Sequence, residues 1–288
     1  MSVRTTDRAL VVRTPASSAN IGAGFDVLGL ALDLYADIGI GEAPTGATLL
    51  DERHPATIAF RELGGSGAVW MRCRIPMARG LGFSGAVRVG GAALAAAQQS
   101  TEPQTAIDDA AEEILTVTAR LEGHGDNVAA SLCGGAVAHV DGRALAMRIG
   151  PVLAAATVIA WIPDTTTPTD RSRRALPPMV ERRAAVHNIG RSIQFALAVE
   201  HDDPGLLVGA TSDRMHQSER IPQVVGAEAA LRDGVGAGAW CGWLSGSGPT
   251  VALMCAAERA REVIAALPSG GHSKTLGIDR IGARLVES

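Results

Sequence analysis

The sequence predicts an α+β fold, because its strand-like and helix-like segments are mixed without the regular β–α–β alternation of a doubly wound sheet. Residues 10–13 read as a short strand that runs into a small-residue turn over 14–26. Residues 32–40 read as another strand and 55–63 as a short helix. Over 68–75, apolar and basic residues alternate, the pattern of a strand with one wet face. The stretch 87–99 is rich in alanine and glycine and reads as a buried helix whose small residues allow close packing. Residues 104–121 carry Ile107, Ala111, Ile114, Leu115, Thr118 and Leu121 at helical spacing, which predicts one amphipathic helix. A polar loop, Glu122-Gly123-His124-Gly125-Asp126-Asn127, leads to a short helical turn ending at Gly134-Gly135.

Strands are expected over 136–140, 145–149 and 157–162, and a polar, proline-bounded stretch over 163–178 is the expected domain border. Beyond it, 179–200, 204–215 and 224–233 read as helical. Strands over 240–244 and 250–255 flank a tight turn, Ser245-Gly246-Ser247-Gly248-Pro249. A helix over 257–267 and a last strand over 278–285 complete the pattern.

Composition removes several function classes. The chain has 288 residues, 47% apolar and 19% charged, with a net charge of -4, so a sizeable core is feasible and a basic nucleic-acid face is not indicated. Aromatics at 3% leave few stacking platforms for single strands. The only lysine is Lys274, so a Walker-type phosphate loop, which needs a lysine after its glycines, is ruled out. Cys73, Cys133, Cys241 and Cys255 form no C-x-x-C pair, and reduced thiols in a cytoplasmic protein are expected. Neither a secretory signal nor a run of about 20 apolar residues is present, so no membrane association is expected.

One segment carries a chemistry of its own. The turn 76–86 reads Pro76-Met77-Ala78-Arg79-Gly80-Leu81-Gly82-Phe83-Ser84-Gly85-Ala86, between a predicted strand and a predicted helix. Glycines let backbone N–H groups approach an anion, and a helix start adds unpaired donors and a positive dipole end. Ser84 offers a hydroxyl to a phosphate or a magnesium ion. A turn that merely lets strand and helix pack closely would have the same composition.

Three further segments bear on that choice. Pro15-Ala16-Ser17-Ser18-Ala19-Asn20-Ile21-Gly22-Ala23-Gly24-Phe25-Asp26 resembles the N-terminal motif of homoserine kinases nearly residue for residue. Glu122 to Ala129 resembles their magnesium- and substrate-binding segment, and Ser245-Gly246-Ser247-Gly248-Pro249-Thr250 their C-terminal glycine motif. With 76–86 as phosphate loop, the motifs stand in family order along nearly the whole chain. It is similar to the GHMP kinase superfamily and, within it, to the homoserine kinases.

The resemblance implies an S5-like N-terminal, ATP-binding domain over 1–155 with a left-handed βαβ unit, and a ferredoxin-like C-terminal domain over 156–288. It implies ATP-dependent phosphorylation of the side-chain hydroxyl of L-homoserine, a step of threonine biosynthesis, with Mg2+. The loop Pro76, Arg79, Gly80, Leu81, Gly82, Phe83, Ser84, Gly85 and Ala86 would hold the nucleotide, and Ser84 with Glu122 the metal. Asn20, Asp26, His124, Asp126, Arg173 and Arg220 would hold the substrate, and Asn127 would approach the reacting hydroxyl. Read alone, these short polar residues also suit turns and caps, and the arginines a solvated surface. A homodimer is an open expectation, since nothing in the sequence specifies an oligomeric state.

Some residues depart from the family pattern. Phe83 stands where a second serine is usual, Gly125 where proline is frequent, and Ser218 where proline is frequent. The first removes a hydroxyl from the anion site, which Arg79 could offset with charge, and the second should loosen the turn holding His124 and Asp126. Two other functions fit the same residues: a GHMP kinase for another hydroxylated acceptor, or a catalytically weak relative that binds a nucleotide or metabolite.

Overall fold

A computed structural model describes residues 9–164 and 176–287. The chain opens with β1 (Leu10–Ala19) and β2 (Leu28–Ile40), which pair antiparallel along their whole length. The first strand continues well past Arg13 because its register shifts between Pro15 and Ala16, and such an irregularity accommodates a residue without an N–H. Next come β3 (Thr48–Leu49), α1 (Pro55–Glu62), β4 (Val69–Cys73) and α2 (Phe83–Gln98). The segment expected as one helix is two, α3 (Pro103–Asp109) and α4 (Ala111–Glu122), broken at Ala110. They are followed by α5 (Asp126–Cys133), β5 (Ala136–Val140), β6 (Arg143–Ala146), α6 (Pro151–Ala154) and β7 (Thr157–Pro163).

The remainder comprises α7 (Arg182–Glu200), α8 (Gln217–Arg220), α9 (Ala227–Gly236), β8 (Cys241–Leu244), β9 (Val251–Cys255), α10 (Ala260–Ala266), β10 (Gly271–Leu276) and β11 (Arg284–Val286). Of the helix expected over 204–215, a 3-10 turn at Pro204–Leu207 forms. The expected last strand is mostly loop, and β10, which the sequence did not signal, precedes it.

Two sheets result. The larger runs β11-β1-β2-β4-β3, with β5 also on β2 and β6 on β5; the smaller runs β10-β7-β9-β8. The expected border at 155/156 is not a clean partition, because β11 pairs with β1 in the first sheet. One core joins the first sheet to α2, whose Val87, Val89, Ala92, Ala93, Leu94 and Ala95 are fully buried, as its composition suggested. A second core lies between the smaller sheet and α9 and α10, around Trp161, Leu244, Leu253 and Val263. Among the described residues, no helix is long and apolar enough to cross a membrane.

Candidate active site

Helix α2 starts at Phe83, immediately after Gly82, whose φ is 69°. Gly80 is also left-handed, at φ 72°. A Cβ on Gly80 would sit 2.3 Å from the Ser245 carbonyl oxygen, and one on Gly82 would sit 2.0 Å from Ser17 Oγ. The loop is therefore wedged between the end of β1 and the Ser245-Gly246 turn, in a backbone conformation that favours glycine. The first helical bond runs from Ala86 N to Gly82 O (2.9 Å), so the amides of Phe83, Ser84 and Gly85 precede the helical ladder. Donors outside the ladder and a positive dipole end are what an anion seeks at a helix start.

Three helices meet one carboxylate beside it. Ser84 Oγ donates to Glu122 Oε2 at 2.7 Å, and Arg88 Nε donates to the same oxygen at 2.8 Å. Asn127 Nδ2 lies 3.4 Å from Glu122 Oε1. Glu122 is the last residue of α4, Ser84 and Arg88 stand on α2, and Asn127 is in the first turn of α5. Arg88 was not foreseen. Its signal was its place four residues after Ser84, which puts both on one helix face.

At the other end of the cleft, buried Asp126 accepts from Asn127 N (2.9 Å) and lies 3.0 Å from His124 Nδ1. Asn20 works as a staple: its Oδ1 accepts from Asp26 N (2.9 Å) and its Nδ2 donates to the Gly246 carbonyl (2.8 Å). Asn20, Ile21 and Asp26 all have positive φ, at 68°, 41° and 57°. For a β-branched residue such as Ile21 this is a strained conformation. Buried Arg220 lies over the Phe25 ring, 5.4 Å from its centroid.

His216 fixes Arg220. Its Nε2 is 2.8 Å from the Gly22 carbonyl, which can only accept, so Nε2 carries the hydrogen. Its Nδ1 is then the acceptor for Arg220 Nη1 at 3.2 Å. Burial pushes the His216 imidazole below its ordinary pKa, against the pull of Asp213, and the Arg220 charge adds to the depression. A folded state that prefers neutral histidine is stabilised above the unfolded pKa of about 6.5 and loses that stability as pH falls below it. The melting temperature should therefore drop on acidification from neutral pH, and by less in His216→Gln; equal profiles in thermal melts would refute the coupling.

The cleft, of about 250 Å³, gathers Asn20, Asp26, Pro76, Arg79, Gly80, Gly82, Phe83, Ser84, Glu122, His124, Asp126, Asn127 and Arg220. Ser17, Ala19, Ala78, Gly246 and Ser247 line it as well. Leu81, Gly85 and Ala86 do not. The Leu81 side chain is in the core, and Ala86 spends its amide on Gly82 and its carbonyl on Thr14 Oγ1 (2.9 Å). Arg79 hydrogen-bonds the carbonyls of Pro163 and Asp164 at the end of β7, rather than serving only the loop. Arg173 lies outside the described residues.

Two family departures acquire reasons. A Cβ on Gly125 would meet the His139 ring at 2.2 Å, so that ring fills the space a larger residue would need. The Phe83 ring meets His54 edge-on, at 6.4 Å between centroids and 86° between planes. It stands between the polar cleft and an apolar recess of about 480 Å³ lined by Leu49, Met71, Ile75 and Met77.

Residues 52–135 match the family of GHMP kinases N terminal domains. The fold is shared with a homoserine kinase from Cytophaga hutchinsonii (TM-score 0.83, 20% identity, 99% of this chain and 100% of that one). It is shared also with the Methanococcus jannaschii mevalonate kinase (TM-score 0.68, 13% identity, 94% and 98% covered). Fold and glycine loop together are those of a GHMP kinase. In sequence, the homoserine kinase of Streptomyces coelicolor is 35% identical over 96% of this chain and 94% of its own. That of Desulfitobacterium hafniense is 32% identical over 96% and 99%. The chain belongs to the homoserine kinase family.

Proposed function

We propose that this chain transfers the γ-phosphoryl group of ATP to the side-chain hydroxyl of L-homoserine, giving O-phospho-L-homoserine. The observation that carries the reading is the Ser84–Glu122 contact of 2.7 Å, set at the head of a helix whose preceding glycines are left-handed. Phosphoryl transfer asks for positioning and charge neutralisation more than for covalent help. The amides of Phe83 and Ser84, which line the cleft, receive the phosphates. A hydroxyl and a carboxylate are hard oxygen donors of the kind Mg2+ takes alongside phosphate oxygens and water, so Ser84 and Glu122 fit that ion. When bound, it neutralises phosphate charge.

The remaining groups suit an amino acid that carries a hydroxyl. Arg220, with Arg173, pairs with the carboxylate, and Asp26 and Asp126 meet the ammonium group. His124 orients Asp126, and Asn127 positions the hydroxyl for in-line attack. The adenosine lies in the apolar recess, with Phe83 as the wall between base and phosphates. This reverses the first expectation for Phe83, which was a lost hydroxyl. Phe83→Ala should weaken ATP binding about 2–10-fold, the worth of an aromatic contact, while leaving inhibition by inorganic triphosphate unchanged. An unchanged Kd for ATP by calorimetry would remove Phe83 from the nucleoside site.

The direct test is ADP release with Mg-ATP and homoserine, threonine, mevalonate or shikimate. Homoserine should give the highest kcat/KM. A different best acceptor would reassign the substrate, and ATP binding without turnover on any of them would make the chain a nucleotide-binding relative.

A further inference from the structure

One oxygen of Glu122 has two donors on it. Oε2 accepts from Ser84 Oγ at 2.7 Å and from Arg88 Nε at 2.8 Å, and the Arg88 and Glu122 side chains are only 16% and 11% exposed. The cation on this carboxylate is thus a residue of the chain itself. Arginine cannot be deprotonated in a protein, so Arg88 does not step aside by losing its charge. A divalent ion on the same oxygen would face a fixed like charge in a partly buried site, where charges are poorly screened. Arg88 and such an ion compete for Glu122.

Arg88 also has unused capacity. Its Nη1 and Nη2 donors meet no acceptor among the described residues; only Nε is bonded. A guanidinium so enclosed suits a carboxylate or phosphate that takes two parallel bonds. Side chains on a helix lean toward its N-terminus, and Ser84 stands one turn ahead of Arg88 on the same face of α2. The unspent fork therefore belongs to the end of the helix that offers its amides to an anion.

Other cations are committed elsewhere. Lys274 is in β10, Arg79 bonds the carbonyls of Pro163 and Asp164, and Arg220 lies over Phe25. The Arg88 charge reaches the nucleotide side of the cleft. Burial holds the His54 imidazole below its ordinary pKa, the Arg88 charge adds to the depression, and His54 meets the Phe83 ring.

We propose that Arg88 changes partner when nucleotide binds: it holds Glu122 beforehand, then yields Glu122 to the metal and pairs its fork with a phosphate oxygen. The inference rests on the nucleotide and metal reading given above. Arg88 thereby disfavours the bare ion and favours the metal–nucleotide complex.

Electron paramagnetic resonance of Mn2+ with the full chain tests this, without nucleotide and with a non-hydrolysable ATP analogue. Without nucleotide, Arg88→Leu should bind Mn2+ at least about tenfold more tightly than the parent. The same variant should bind the Mn2+–analogue complex about tenfold or more weakly. A residue that merely supports the helix would not shift the two affinities in opposite directions. An unchanged affinity in either measurement, or a change of the same sign in both, overturns the proposal. Adding Glu122→Gln to Arg88→Leu should abolish the tightened Mn2+ binding. If it persists, the ion is not on Glu122, and the metal assignment falls together with the exchange. Should Arg88→Leu not fold, the neutral pair Arg88→Leu/Glu122→Gln should bind magnesium-free ATP about tenfold more weakly than Glu122→Gln. Equal affinity there overturns the proposal.

Discussion

Glu122→Gln should lower kcat about 10²–10³-fold, a loss of the size seen when one preorganised electrostatic partner is removed from a reacting centre. The substitution keeps the shape and a hydrogen-bond acceptor for Ser84 but discards the charge that the proposed metal site needs. Nucleotide binding measured without magnesium should stay near the parent value, and its enhancement by magnesium should disappear. Parent-like turnover and magnesium dependence would refute the assignment. Arg88 makes a second measurement possible. It supplies the positive charge beside Glu122 in the structure, at 2.8 Å, with both side chains only partly exposed. Arg88→Leu leaves the carboxylate uncompensated, which should lower stability by roughly 1–3 kcal/mol, less than for a fully buried pair. Added magnesium should recover part of that loss in a thermal melt. An identical response to magnesium in parent and variant would exclude Glu122 as a ligand.

Gly80→Ala should raise KM for ATP at least about tenfold and lower the melting temperature together. At φ 72° the new Cβ carries a left-handed penalty of about 1–2 kcal/mol. It also meets the Ser245 and Gly248 carbonyl oxygens at 2.3 and 2.9 Å, so the two glycine loops must part. Their joint is otherwise held by the Ser245 hydroxyl, 2.6 Å from the Gly80 carbonyl and 2.7 Å from Ser18 Oγ. Gly67→Ala is the control. Its φ is 99°, yet nothing lies within 4 Å, so it should lose stability without losing activity. Equal effects of the two substitutions on KM would mean that contact between the loops does not shape the nucleotide site.

The parts of the cleft legible in the sequence are those whose chemistry is local. A glycine turn before an alanine-rich helix, and acidic and amide residues around Gly125, can be read from neighbours in the chain. What escaped depends on contacts between distant residues. Arg88 gains its role only because α4 delivers Glu122 to the same face of α2. Asn20 lines the cleft as expected, but its bond to the Gly246 carbonyl joins residues more than two hundred apart and could not be read locally. The strand through Pro15 escaped because a proline reads as a stop, and its shifted register depends on β2. Ala110 breaks a helix whose apolar spacing is continuous, and β10 is polar in sequence, so only its pairing with β7 marks it as a strand.

The pairing of β1 with β11 sets an order on biosynthesis. Val11, Val12 and Arg13 meet Val286, Leu285 and Arg284, so an early strand waits for one made much later. Until then β1 has an open edge next to β2, and open edges invite pairing between chains. During synthesis the strands around β1 can collapse early, yet that edge stays open until residues 284–286 have emerged. Chains cut short before Arg284 should therefore go to aggregates rather than to a stable N-terminal fragment, a sorting visible in the soluble and pelleted fractions of a truncation series.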